Sequence, residues 1–141
     1  MTSSGARSPC ATLAVAVLVE FAISLVGCAS FGPITPVTVS NIGSVAGTWQ
    51  GVLYGSGSEP EYIELTIRED GSYEVVSRRR IGESRGRGTV VVSDGRLVFH
   101  GEKGRGVGTL LSDRGGNRVI EVEAVLSDNS GLSARLSRPS R

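Results

Sequence analysis

Residues 45–141 read as an all-β domain, a small antiparallel up-and-down barrel of about eight strands, and three observations carry that reading. Apolar residues alternate with polar ones at period two, the spacing of a half-buried strand. Asp-Gly pairs and single glycines separate the alternating runs as turns would; of 20 glycines, 16 lie between Gly47 and Gly131 without the fixed period of collagen. No helix-period segment separates any two runs. Eight consecutive antiparallel strands leave two raw edges unless the sheet closes on itself, so a barrel is preferred over an open sheet.

The runs fall at about 47 to 55, 61 to 69, 72 to 79, 86 to 93, 96 to 101, 106 to 112, 118 to 127 and 131 to 137. The first opens on Gly47-Thr48-Trp49. The second puts Ile63, Leu65 and Ile67 on one face and Glu64, Thr66 and Arg68 on the other. Glu69-Asp70-Gly71-Ser72 then leads into the third, and Ser93-Asp94-Gly95-Arg96 joins the fourth to the fifth. Asp-Gly between β-like runs is a strong hairpin signal, because glycine accepts the positive φ of a type I′ turn. "LLSDRGG" closes the sixth run and "VLSDNSG" the seventh, the same turn chemistry in looser form. The seventh alternates Ile120, Val122, Ala124 and Leu126 with Glu121 and Glu123, and the eighth carries Leu132, Ala134 and Leu136. Strands of ~8 residues tilted by ~40° make a barrel only ~20 Å tall. So short a barrel is expected to be filled by side chains, with Trp49 in the core of its closed end. Alternation up and down puts the turns at Asp70, Asp94 and Asp113 at one end with the C-terminus. The connections around 55 to 60, 79 to 86 and 101 to 106 gather at the other, where a binding mouth belongs.

The chain ahead of this domain reads as an export signal and a tether. Arg7 lies in a short basic n-region, and Ala11 to Val26 is apolar but for Thr12, Glu20 and Ser24. At 1.5 Å per residue that stretch reaches roughly 24 Å, less than the ~30 Å a membrane span requires. Glu20 is a costly residue in such a segment. Leu25-Val26-Gly27-Cys28 resembles the bacterial lipobox. The resemblance implies cleavage between Gly27 and Cys28, diacylglycerol on the Cys28 thiol and acylation of the new amine. Ala29 in the next position implies the outer membrane in a Gram-negative organism. A competing reading cleaves after Ala29 and releases an unmodified chain. The resulting divisions are a signal peptide at 1–27, the lipidated cysteine with a flexible, Pro33- and Pro36-containing tether at 28–44, and the barrel at 45–141. Cys10 falls in the removed part, so no disulfide is expected.

Gly47-Thr48-Trp49 followed by the meander is similar to the opening of lipocalin-like and avidin-like small barrels. That resemblance implies a tryptophan packed across the closed end and raises two functions by analogy, a carrier of a small hydrophobic ligand and a protein-binding role such as protease inhibition. Charge names no partner: 15 basic residues against 14 acidic ones give no preference for nucleic acid. Locally, Arg78, Arg79, Arg80, Arg85 and Arg87 form a basic cluster, with Lys103 and Arg105 expected at the same end. These could grip an anionic envelope component or a protein partner through guanidinium forks. The blander reading is a solvated loop neutralised by Glu59, Glu61, Glu102 and Asp128. His100, the one histidine, is expected on an outward position with no metal partner. "GEKGRGVGT" at 101 to 109 lacks the ending of a phosphate loop and reads as turn glycine. Glu61 and Glu64 face opposite ways by parity and form no acid/base pair. The expectation is therefore a non-catalytic, lipid-anchored envelope lipoprotein without cofactor or metal, whose distal loops make contacts.

Overall fold

A computed structural model describes residues 34–80 and 82–140. The signal segment, the Leu25-Val26-Gly27-Cys28 motif with its lipidation site, and the start of the tether lie outside the described residues.

The domain is all-β. Eight strands, β2 (Gly47–Gly55), β3 (Glu61–Ile67), β4 (Ser72–Arg78), β5 (Glu83–Ser93), β6 (Arg96–Gly101), β7 (Gly104–Ser112), β8 (Arg118–Leu126) and β9 (Gly131–Ser137), follow one another as an antiparallel meander. Pairing of β2 with β9, from Gln50 opposite Ser137 to Gly55 opposite Leu132, closes the sheet into a barrel. Closure removes the raw edges that an eight-stranded meander would otherwise expose. The period-two alternation aims one set of side chains inward: Ile63, Leu65 and Ile67 of β3 are buried, while Tyr62, Glu64 and Thr66 between them are not. With charged residues such as Glu74, Arg85 and Glu121 outside and aliphatic ones inside, this alternation is the reverse of a barrel that faces lipid.

One further strand, β1 (Thr35–Val37), corrects the tether reading. It pairs antiparallel with the end of β7, Thr35 opposite Ser112 and Val37 opposite Leu110. Strand β6 stops pairing with β7 at Gly108, so β1 takes over the edge that β6 leaves bare. Pro36 is tolerated because β1 is itself an edge. Val39 then donates its N–H to the Gly95 carbonyl at 2.9 Å, a 3-10 turn spans Ile42–Ser44, and Val39 and Val45 are fully buried. The chain from Thr35 to Val45 is thus a strap over the closed end. Its signal in the sequence is the alternation of Val37 and Val39, masked by the neighbouring prolines.

The connections divide by end as parity requires. Asp94 and Gly95 have φ of 50° and 74°, the two positive values of a type I′ hairpin. Only Gly71 is positive at the β3–β4 turn, where the Asp70 carboxylate instead accepts from the Ser72 amide (2.8 Å) and hydroxyl (2.6 Å). Asp128 accepts the same pair of bonds from Ser130, and Asp113 accepts from the Asn117 amide. These bonds hold all three carboxyls below the ordinary aspartate range.

The curvature of so small a barrel depends on strand glycines that approach a neighbouring backbone. At Gly51, a Cβ would overlap the Arg135 carbonyl of β9, across the seam that closes the barrel. Gly51→Ala is expected to destabilise the domain by roughly 2 to 3 kcal/mol, the range for overpacking a site that cannot yield. Gly131, where a Cβ meets nothing within 4 Å, is the control: Gly131→Ala should be close to neutral in the same urea titration.

Candidate functional site

The interior has two halves of different character. At the closed end, Val45, Trp49, Ile67, Val90, Leu97, Leu110, Ile120 and Leu136 are each less than 2% exposed and fill the barrel completely. Trp49 Nε1 donates to the Val45 carbonyl at 2.8 Å, and the Arg138 guanidinium lies 4.2 Å from the ring centroid. The tryptophan thereby ties the strap, β2 and the chain beyond β9 together.

Toward the opposite end the filling stops. A cavity of about 350 Å³ opens there between the β2–β3, β4–β5, β6–β7 and β8–β9 connections, so the expectation of a filled barrel holds for the closed half only. The reason lies in which residues point inward. Continuing inward from buried Val90, Phe99 and Leu110, the next interior positions are Gly88 and Gly86 on β5, Gly101 on β6, and Gly108, Gly106 and Gly104 on β7. Gly86, Gly101, Gly104 and Gly106 line the cavity, where no side chain fills the volume, whereas Gly88 lies against the His100 carbonyl and Gly108 against the Phe99 ring. "GEKGRGVGT", read as turn, is therefore largely strand: the turn is only Glu102–Lys103, and its glycines alternate toward the interior. The period-two spacing of Gly104, Gly106 and Gly108 is the signal that could have revealed this.

The cavity wall is apolar in its depth, with Leu53, Ile63, Val75, Phe99, Val122 and Leu132. Tyr73 packs edge-on against Phe99, ring centroids 5.3 Å apart, and its hydroxyl reaches toward Gly101, where a Cβ would stand 2.5 Å away. Burial, aided by the nearby Glu102 charge, pushes the Tyr73 phenol above its usual value.

One carboxylate sits inside the mouth. Glu61 is 8% exposed, accepts a hydrogen bond from the Ser77 hydroxyl and pairs with Arg79 Nη2 at 2.6 Å. The β3–β4 register, Tyr62 opposite Arg78 and Ile63 opposite Ser77, brings Glu61 to Ser77, 16 positions away in sequence, and to Arg79 just beyond it. The Ser77 hydrogen bond lowers the Glu61 carboxyl most; burial opposes it, and the hydrogen bond and charge of Arg79 lower it further, for a net value below 4.5. Glu64 faces outward as parity requires and accepts from Gln50 Nε2 at 2.8 Å.

Because Glu61 binds its proton less tightly folded than unfolded, its contribution to stability is complete above pH 4.5 and is lost as pH falls through the folded value. Ser77→Ala removes the largest lowering influence. The variant is expected to lose stability at neutral pH and to lose less on acidification below pH 4.5 than the parent, as read by urea unfolding across a pH series.

The basic residues singled out from the sequence do gather at this mouth, and most are answered by acid. Arg78 lies 3.6 Å from Glu83, Arg85 is bound by Glu83 (2.8 Å) and Glu74 (3.2 Å), and Arg87 by Glu102 (3.1 Å). Glu61 and Glu102 act as expected and Glu83, the acid within the run, binds Arg78 and Arg85, whereas Glu59 and Asp128 make no ion pair and Glu74 does so in their place. Arg80, Lys103 and Arg105 have no carboxylate partner within 4.0 Å among the described residues. His100 is exposed on the outer face opposite Arg105. Neither a protein-family model nor a curated protein sequence matches the chain.

Proposed function

We propose that the chain is a non-catalytic binding protein that holds a small, largely apolar ligand inside its barrel and is kept at the bacterial membrane by lipid on Cys28. The observation that carries this reading is the 350 Å³ cavity with apolar depth and a polar rim, within the size and character of small-molecule sites. At ~30 Å³ for each water-sized group it accommodates about a dozen such groups, so a longer ligand projects through the mouth. The arginines of the rim are largely bound to carboxylates, which favours the interior over the loops as the site of recognition. The lipobox-like Leu25-Val26-Gly27-Cys28 supports the anchor, and Ala29 supports the outer membrane in an organism that has one.

Native and denatured mass spectrometry of the full chain, purified gently from its own membrane fraction, tests both parts. The expected result is a denatured mass that begins at Cys28 and includes acyl chains, with additional mass in the native spectrum alone. An unmodified chain beginning at Ser30 would overturn the anchor. A native mass equal to the denatured one, under conditions that preserve weak complexes, would overturn the carrier.

A further inference from the structure

A polar atom set into the apolar wall carries the reading one step further. Tyr73 has the inward parity of Val75 and Ser77 on β4, and the register puts it in line with Gly88 on β5 and Gly101 on β6. Its ring packs edge-on against Phe99, and its Oη stands 2.5 Å from the place a Cβ on Gly101 would take, on the inner side of the sheet. Glycine at 101 is what leaves room for the hydroxyl there. Among the described residues that hydroxyl makes no hydrogen bond, and no sealed-off side-chain nitrogen or oxygen lacks one, so Oη opens onto the cavity that Tyr73 lines. Glu61, Ser77 and Arg79, by contrast, are bound to one another.

We infer that the cavity takes an apolar molecule with an uncharged carbonyl group, whose oxygen accepts a hydrogen bond from Tyr73 Oη. This rests on the cavity as the binding site and adds the functional group recognised there. Burial and the Glu102 charge push the phenol above its usual value, so at neutral pH the proton stays on Oη and is available to donate. A ligand of hydrocarbon alone displaces water from the hydroxyl and leaves the donor unpaired, a loss that a carbonyl oxygen avoids. A carboxylate in the same position would bring a second negative charge to the place where Glu102 already acts on the phenol. A protonated amine has no lone pair to receive the proton.

Tyr73→Phe removes the hydroxyl and keeps the ring against Phe99. Nonane, 2-nonanone, 5-nonanone and methyl octanoate, all volatile, are measured by depletion of the headspace over the full chain in lipid nanodiscs, with empty nanodiscs as the blank. At least one carbonyl ligand is expected to bind the variant about tenfold more weakly than the parent, while nonane binds it at least as tightly and so shows that the barrel is intact. Whether a ketone or the ester loses more separates those two sources of the carbonyl. The NMR signal of the bound carbonyl carbon is expected downfield in the parent relative to the variant, a shift that a purely structural role for Tyr73 would not produce. Unchanged affinities on Tyr73→Phe, or a parallel loss for nonane and the carbonyl ligands, would overturn the hydrogen bond and leave the cavity reading standing. Binding of nonane alone to the parent would overturn the carbonyl and likewise leave the cavity. Binding of none of the four to the parent would overturn both the carbonyl and the cavity as the site.

Discussion

Trp49→Ala is expected to remove about 4 kcal/mol of stability, the upper part of the range for truncating a buried aromatic. Three losses combine in it. The indole is 1% exposed and fills the closed end, so its removal leaves a void that the surrounding strands cannot close. The Val45 carbonyl loses its donor at 2.8 Å, and Arg138 loses the ring over which it lies. A domain of this size has a total stability of about 5 to 15 kcal/mol, so the variant would be at or near its melting point under mild conditions. Trp49→Phe keeps most of the ring volume and lacks only the N–H, and is expected to cost about half as much. Urea unfolding followed by circular dichroism reads both, since the lone tryptophan is no longer a fluorescent probe. Equal losses in the two variants would assign the effect to the Val45 hydrogen bond and not to packing.

The largest effect on binding is expected from Ala124→Phe. Ala124 faces the cavity from β8, opposite Gly106 on β7 and Leu132 on β9, where a phenyl ring has open space to enter. The ring would exclude about four methylenes of ligand, roughly 3 kcal/mol at ~0.8 kcal/mol each, or about a hundredfold in affinity. Because the ring occupies space that is otherwise unfilled, the unfolding midpoint is expected to move little. Val125→Phe is the matched control: the neighbouring residue points outward, is 55% exposed and should leave affinity unchanged. Undiminished binding by Ala124→Phe would place the ligand elsewhere on the molecule.

The strands of the barrel were legible because each carries its own alternation. Ile63, Leu65 and Ile67 declare an inward face whatever their neighbours do, and the Asp94-Gly95 pair declares its hairpin. The strap was less legible: Val37, Val39, Ile42 and Val45 are too few to outweigh Pro33 and Pro36, and their burial depends on a closed end that exists only after the barrel forms. The cavity was hidden for a different reason. Glycine signals turns and also signals missing volume, and only the parity of Gly86 and Gly88 with Val90, or of Gly104, Gly106 and Gly108 with Leu110, tells the two apart. The Glu61–Ser77–Arg79 cluster could not be read from proximity in the chain, because the register between β3 and β4 creates it. The arginine run and Glu83 within it were plain, but neutralisation by Glu74 depends on which residues project beside one another across β4 and β5.

Strand β1 also has a mechanical consequence. It joins the barrel through three register pairs with β7 and continues through the Val39–Gly95 hydrogen bond, whereas β2 is stitched to a neighbour along both sides. Tension applied to the polypeptide ahead of Thr35 therefore reaches β1 before it reaches the closure between β2 and β9. With only three register pairs, β1 is the part of the barrel that such a load would strip first, ahead of the β2–β9 closure and of the cavity at the far end.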